Sequence, residues 1–330
     1  MLALTNFIYL GRLIKASPIR IVYLLILSGR ASRQVRRLIK RLYDGESYFY
    51  IHVDSRHDYM FREVKELEAK FPKRIYVAER RWASIWGGVT FLSMVLDSFK
   101  AILEKNWHWD FVLNLSETDY PLKRSKDLVK FLSNNRDKNF VRINGNIDAK
   151  QITGQGNLTE VGIFIFMTLP LHPFTYFDLM CNHGILLGLY ETFYECDAHM
   201  WRLGPRTLPR GTQIGLGSNW IGLNKEFVSY LVNGDDELVN GMRITWNYTI
   251  IAAESYFHTL LKSSKFCLNH INNDLHWTNW KRDLGCKCQQ TAVVDWCGCN
   301  PNGKHNIISR CANTNYVTII FRTIITIYKG

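Results

Sequence analysis

Two acidic residues one position apart, Glu117 and Asp119, close an apolar run in Phe111-Val112-Leu113-Asn114-Leu115-Ser116-Glu117-Thr118-Asp119-Tyr120-Pro121-Leu122. The run that opens at Phe111 reads as a buried strand. Pro121 has no N–H to give and is expected to stop any further pairing. In an open α/β sheet ligands gather outside the carboxyl ends of the strands, so residues 116–119 stand where chemistry would be placed. Carboxylates at this spacing can hold a divalent cation against a diphosphate; the same residues make an ordinary polar turn equally well. Sulfur forms a second cluster. The chain has eight cysteines, none before Cys181, and four of them lie in Cys286-Lys287-Cys288 and Cys297-Gly298-Cys299. Structural zinc usually takes paired ligands two to four residues apart. One-residue gaps fit two nested disulfides, Cys286–Cys299 and Cys288–Cys297, better than a zinc site, with Asp295-Trp296 in the turn of a hairpin. Disulfides imply an oxidising compartment.

The elements that must position such residues alternate regularly. Residues 1–18 carry no clear pattern. Strands are expected at 21–27, 48–53 and 75–77, and helices at 32–43, capped by Ser32, and 59–70. A strong helix follows Trp86-Gly87-Gly88, where Leu92, Val95, Leu96, Phe99, Ile102 and Leu103 repeat with helical period. The strand at Phe111 and a helix over 126–132 come next. Strands alternating with helices predict a mainly parallel sheet covered on both faces. A further strand is expected at 140–143. Residues 195–203 fit no clean period. Gly215-Leu216-Gly217-Ser218-Asn219-Trp220-Ile221-Gly222-Leu223 has glycines where backbone must approach something closely. Helices are expected over 225–232 and 252–261, the second with Glu254 in its first turn.

Composition bounds the partners. The 330 residues are 47% hydrophobic and 21% charged, enough for a sizeable core, and the net charge of +12 suits an anionic partner such as a nucleotide diphosphate or an acidic peptide. The basic residues are dispersed and no nucleic-acid motif appears. No secretory signal or membrane anchor is evident; the apolar stretch at 19–27 is too short to span a bilayer. The pattern breaks over 152–186. That segment is long and apolar, but Pro170, Pro173, His172 and Asp178 argue against a membrane span. It is expected to pack poorly and to be dispensable. The final stretch, 316–327, is β-branched and aggregation-prone unless paired.

Several stretches together resemble the protein O-xylosyltransferases, in the family that also holds the core-2 branching N-acetylglucosaminyltransferases. They are Tyr50-Ile51-His52-Val53-Asp54, Ile85-Trp86-Gly87-Gly88, Asn114-Leu115-Ser116-Glu117-Thr118-Asp119-Tyr120-Pro121, Glu195-Cys196-Asp197-Ala198-His199-Met200-Trp201-Arg202-Leu203-Gly204 and Ala253-Glu254-Ser255-Tyr256-Phe257-His258-Thr259. The most specific is Thr278-Asn279-Trp280-Lys281-Arg282-Asp283-Leu284-Gly285-Cys286-Lys287-Cys288 with Val294-Asp295-Trp296-Cys297-Gly298-Cys299; this cysteine hairpin favours xylosyl over branching transfer. The resemblance covers about 19–304 apart from 152–186. It implies an α/β fold of the GT-A nucleotide-diphospho-sugar type, with UDP-xylose as donor. The implied acceptor is serine in acidic segments of proteoglycan core proteins, so that transfer initiates the glycosaminoglycan linker. It implies inversion at the sugar without a metal, and residence in the Golgi lumen as a type II membrane protein.

Carried over residue by residue, the family's base matches Glu254. A place at a helix start would favour its ionised form and burial would oppose it. The donor-binding positions match Ile26 at the uracil, Asp54, the Ser84-Ile85-Trp86 loop, and Asn219-Trp220, where asparagine replaces the family's aspartate. Arg282 and Asp119 stand in site motifs as possible diphosphate or site support. The resemblance assigns no metal ligand to Glu117 or Asp119. Beyond Lys304 the chain departs from the family and offers no match to its diphosphate-binding Arg-Lys pair. On that reading the chain is truncated, with an aberrant insert at 152–186 and a divergent tail at 305–330, and it is expected to transfer xylose poorly. A branching N-acetylglucosaminyltransferase and an inactive binder of UDP-sugar or core protein are the alternatives.

Overall fold

The computed structural model describes residues 18–29, 31–85, 87–147, 189–208, 213–278 and 321–323. The expected insert at 152–186, the cysteine hairpin, Trp86 and Arg282 lie outside the described residues. β1 (Ile21–Leu27) is an inner strand of the sheet, parallel to β2 (Tyr48–Val53) on one side and β4 (Phe111–Ser116) on the other. Its side chains alternate between faces. Ile21, Tyr23, Leu25 and Leu27 pack with residues of α1 (Ser32–Leu42), α2 (Asp58–Lys70) and α4 (Ser125–Ser133). Val22 and Leu24 pack with α3 (Val89–Glu104), α5 (Lys225–Asn233), α6 (Glu237–Trp246) and α7 (Tyr256–Ser263). Burying each large aliphatic side chain contributes about 1.5–3 kcal/mol. A one-residue slip would exchange the two faces, so the register is held firmly.

The sheet continues through β3 (Ile75–Val77), β6 (Asn139–Ile147), β9 (Ile214–Asn224) and β10 (His270–Ile271), in the order β10-β6-β9-β4-β1-β2-β3. β9 runs antiparallel to β4 and β6; the remaining pairs are parallel. The α/β class with a mainly parallel central sheet flanked by helices is therefore as the sequence predicts.

Four local expectations are corrected. Ser32 is the first helical residue of α1, not its cap; Ala31, with φ −137°, takes the cap position and gives no side-chain hydrogen bond. Pro121 does not end pairing. β5 (Asp119–Pro121) joins β12 (Phe321–Thr323), with Pro121 opposite Phe321, and β12 also pairs with β11 (His276–Thr278). A proline fits at such a small sheet's edge position. Residues 195–203, which fit no period, fall in a two-stranded hairpin of β7 (Glu191–Cys196) and β8 (His199–Pro205). Its turn residues Asp197 and Ala198 both have positive φ, as a primed hairpin turn requires. The helix expected over 252–261 is divided: Ala252–Glu254 form a 3₁₀ turn, and α7 begins only at Tyr256.

Candidate active site

The carboxyl ends of β1, β2 and β4 form one floor, because Ile26 pairs with His52 on one side and Ser116 on the other. Asp54 follows β2 immediately and its N–H donates to Leu27 O (2.9 Å). Ile26 and Asp54 are thus brought together by the β1–β2 ladder. The Asp54 carboxylate is almost fully buried and accepts from Arg56 N (3.0 Å), Nε (2.8 Å) and Nη2 (2.5 Å). Burial pushes its pKa up, but the Arg56 hydrogen bonds and charge outweigh this and hold it below the ordinary value. The same Nη2 donates to Ser84 O (2.7 Å), which ties the 84–85 loop to Asp54. Arg56 carried no role in the sequence reading; a cation two residues after the aspartate was the available signal.

Replacing Arg56 with alanine should leave a buried carboxylate without its main partner. The expected cost is on the order of 1–3 kcal/mol at neutral pH. Because the Asp54 pKa is depressed, that contribution is present above about pH 4 and is lost as acid protonates the folded state. Urea melts of wild type and variant at several pH values check this: the gap should close toward acid.

Glu117 does not face outward. Its carboxylate accepts from Ser28 N (3.0 Å), Ser28 Oγ (2.6 Å) and Gly29 N (2.9 Å), pinning the turn after β1. Asp119 is fully buried and accepts from Ser116 N (2.6 Å) and Ser116 Oγ (3.1 Å). Both carboxylates of the acidic pair thus hold backbone turns. Among the described residues no group of three or more His, Cys, Asp or Glu is set to hold a metal.

The antiparallel strand β9 supplies the far wall. Asn114 of β4 extends the ladder with its side chain: Nδ2 donates to Asn219 O (2.8 Å) and Oδ1 accepts from Ile221 N (2.7 Å). Trp220 then stacks on His276 (ring centroids 5.0 Å apart, 12° between planes), and His276 Nε2 lies 3.9 Å from Asp119 Oδ2. Trp220 and Asp119 are therefore parts of one cluster around a buried histidine that sequence reasoning did not single out. Arg142 pairs with Asp274 (3.0 Å), which in turn orients His276 through its backbone carbonyl.

Glu254 reaches this end of the sheet by another route. Its 3₁₀ turn packs on β9 and on α3, whose N-terminus follows the Ile85–Gly88 turn. Ile251 N–H donates to Gly87 O (2.7 Å). Ile251 itself is left-handed (φ 55°, ψ 38°), a conformation that costs a β-branched residue and is found where structure over-determines it. Trp246 Nε1 donates to Ser255 Oγ (2.7 Å) inside the core. Glu195, in the hairpin, accepts from Thr90 N (2.8 Å) and Oγ1 (2.6 Å) and so holds the start of α3. Since Glu254 precedes α7 instead of lying in its first turn, burial governs it: desolvation raises its pKa from 4.5 to about 7.

Comparison with known proteins matches residues 21–307 to the family described as Core-2/I-branching enzyme. The chain is 46% identical over 286 residues to xylosyltransferase oxt of Drosophila melanogaster, covering 86% of this chain and 29% of that protein. It is 43% identical to human xylosyltransferase 2, with the same two coverages. It is 41% identical over 288 residues to xylosyltransferase 1 of Pan troglodytes, covering 87% of this chain and 27% of that one. The chain thus spans less than a third of the length of these relatives. A crystal structure of S. aureus TarS 1-349 aligns with a TM-score of 0.31 at 12% identity over 72% of this chain and 55% of that one, too loose a likeness to carry an argument.

Proposed function

The chain belongs to the Core-2/I-branching enzyme family, and on that premise we propose that it transfers xylose from UDP-xylose to serine in acidic segments of proteoglycan core proteins, with Glu254 as base. The serine Oγ attacks the anomeric carbon from the face opposite UDP. The Oγ–C1 bond forms as the bond to the β-phosphate oxygen breaks, its electron pair leaves on the diphosphate, and the hydroxyl proton passes to Glu254. Configuration inverts. The observation that carries this reading is Glu254 itself, a largely buried carboxylate whose pKa burial raises to about 7. A base matched to neutral pH both accepts the proton and remains ionised often enough to do so.

Ile26, Asp54, the 84–86 loop and Asn219-Trp220 make the donor wall in this reading. The leaving diphosphate needs cations. Arg282 is one candidate by resemblance. Arg56, half exposed and fixed against both Asp54 and Ser84 O, is a second. Transfer without a metal, residence in the Golgi lumen and type II anchorage rest on the resemblance to xylosyltransferases.

The test is UDP release from UDP-xylose with an acidic Gly-Ser-Gly peptide, in EDTA and in manganese. The expected result is slow, EDTA-resistant release that requires the serine. Release from UDP-N-acetylglucosamine instead would assign the branching activity, and donor binding without release would make the chain a binder.

A further inference from the structure

β3 is shorter than the strand it pairs with. Its register with β2 ends at Val77, opposite Ile51, and Ala78 N then donates to Ile51 O (2.8 Å). Val53 O, two residues further along β2, points to the same side beyond the end of β3. Arg81 takes the vacant place. Its Nε donates to Val53 O (3.3 Å), and its Nη2 donates to Asp54 O (2.9 Å) and Ser55 O (2.8 Å). One guanidinium thus gathers three consecutive carbonyls at the exit of the strand. Nη1 pairs with Asp58 at the start of α2 (2.6 Å), and Cζ lies 4.6 Å from the centre of the Phe61 ring. The side chain is only 15% exposed, so the fork serves the protein's own backbone.

The same residue belongs to the loop that faces Asp54. Residues 78–85 form neither strand nor helix, and backbone groups outside a ladder need other partners. Trp82 N donates to His52 Nε2 (3.0 Å), Trp82 O accepts from Ser55 N (3.1 Å), and Ser84 O accepts from Arg56 (2.7 Å). On its other side, Trp82 Nε1 donates to Asp97 of α3 (3.1 Å), and Arg80 lies over the indole (4.3 Å). Arg81 adds the shortest path between the two segments: its backbone is in the loop and its side chain holds the peptide groups on either side of Asp54.

We propose that Arg81 is a positioning residue that locks the 82–85 loop to the exit of β2, and so holds Asp54 and Ser84-Ile85 at the separation that UDP requires. This role rests on the reading of Asp54 and the 84–86 loop as donor wall. A guanidinium suits it, being planar, always charged and able to present several donors in a fixed fork. Lysine offers a point charge on a flexible stem and cannot hold the three carbonyls in one geometry. If UDP binds only the locked arrangement, its affinity scales with the fraction of time that arrangement is populated.

The test measures UDP binding by calorimetry, and KM and kcat for UDP-xylose, in wild type, Arg81→Ala and Arg81→Lys. With the locked loop populated about 1–10% of the time in Arg81→Ala, Kd for UDP and KM should rise together by about 10–100-fold. The value of kcat should stay within about threefold, since the lost interaction is one of ground-state binding. Arg81→Lys should fall between. Guanidinium ion at a sub-denaturing concentration should restore part of the UDP affinity of Arg81→Ala, and sodium chloride at the same ionic strength should not. Amide exchange at Ser55 and Trp82 should quicken in both variants while β1 keeps its protection. If Arg81→Ala fails to fold, weaker UDP binding with quickened exchange in Arg81→Lys carries the same test. A lowered melting temperature with UDP affinity and KM unchanged would make Arg81 a brace of the strand end alone and overturn the proposal, as would a loss confined to kcat. Wild type separates the two readings. If it binds no UDP, the donor wall itself is misassigned; if it binds UDP and Arg81→Ala binds equally well, only the role of Arg81 is removed.

Discussion

Glu254→Gln is expected to lower turnover by about 10²–10⁴-fold while UDP-xylose binding stays within a few-fold of wild type. The amide keeps the shape of the side chain and removes its ability to accept a proton, so the loss falls on the chemical step. The same variant should be more stable than wild type in alkaline solution. A carboxyl whose pKa is raised on folding, here from 4.5 to about 7, favours the folded state only while protonated. That contribution is present below the unfolded pKa and is lost as pH rises through about 7. Glutamine avoids the loss. The difference should be small near pH 4 and reach on the order of 2–3 kcal/mol above pH 7, allowing for partial exposure. Denaturant melts at acid and alkaline pH measure it, beside a UDP-release assay. A variant with lower activity and no gain in alkaline stability would mean that Glu254 is not held in a desolvated site.

Glu117→Ala has the second largest expected effect, and it falls on stability. The carboxylate is the partner of Ser28 N, Ser28 Oγ and Gly29 N. Deleting it removes three hydrogen bonds to a charged acceptor at a turn whose Ser28 is exposed and Gly29 half-buried, so water takes over part of them and a total on the order of 1–3 kcal/mol is expected. The turn after β1 borders Ile26 and, through Leu27, Asp54, so donor affinity should fall as well. Manganese decides between the structural and the metal-binding reading of the acidic pair. A structural carboxylate gives the same destabilisation with and without manganese. A loss of activity confined to manganese-containing buffer, with no change in the metal-free melt, would restore the metal reading.

The first half of the sheet was legible because its signals are local. The run from β1 to β4 alternates short apolar segments with helices of clear period, and α3 shows that period over its whole length. The glycines of β9 announced a close approach but not its partner, since Gly215 meets His258, 43 positions away. α6 went unread although Asp236 caps it by accepting from Val239 N (2.9 Å) and Val239, Met242 and Trp246 are its buried side chains. Only three of its five apolar residues fall on the buried face, and Gly241 interrupts them, so the pattern is faint. The break between the 3₁₀ turn and α7 was invisible for a different reason. It depends on the left-handed Ile251 and on Trp246 bonding Ser255, neither of which has a sequence signature. Of the site, Ile26 and Asp54 could be placed from strand ends alone. The roles of Arg56, Glu195 and His276 arise from contacts between distant segments, which spacing does not encode.

The pH dependence of turnover, measured together with donor binding, tests the central claim most directly. With Glu254 as a base whose pKa burial raises to about 7, kcat for xylose transfer should rise about tenfold per pH unit on the acid side and level off above about 7, while the affinity for UDP-xylose stays flat across the same range. A kcat that is level from about pH 5 to pH 8, or one whose acid limb survives in Glu254→Gln, would contradict it and assign the proton transfer to another group.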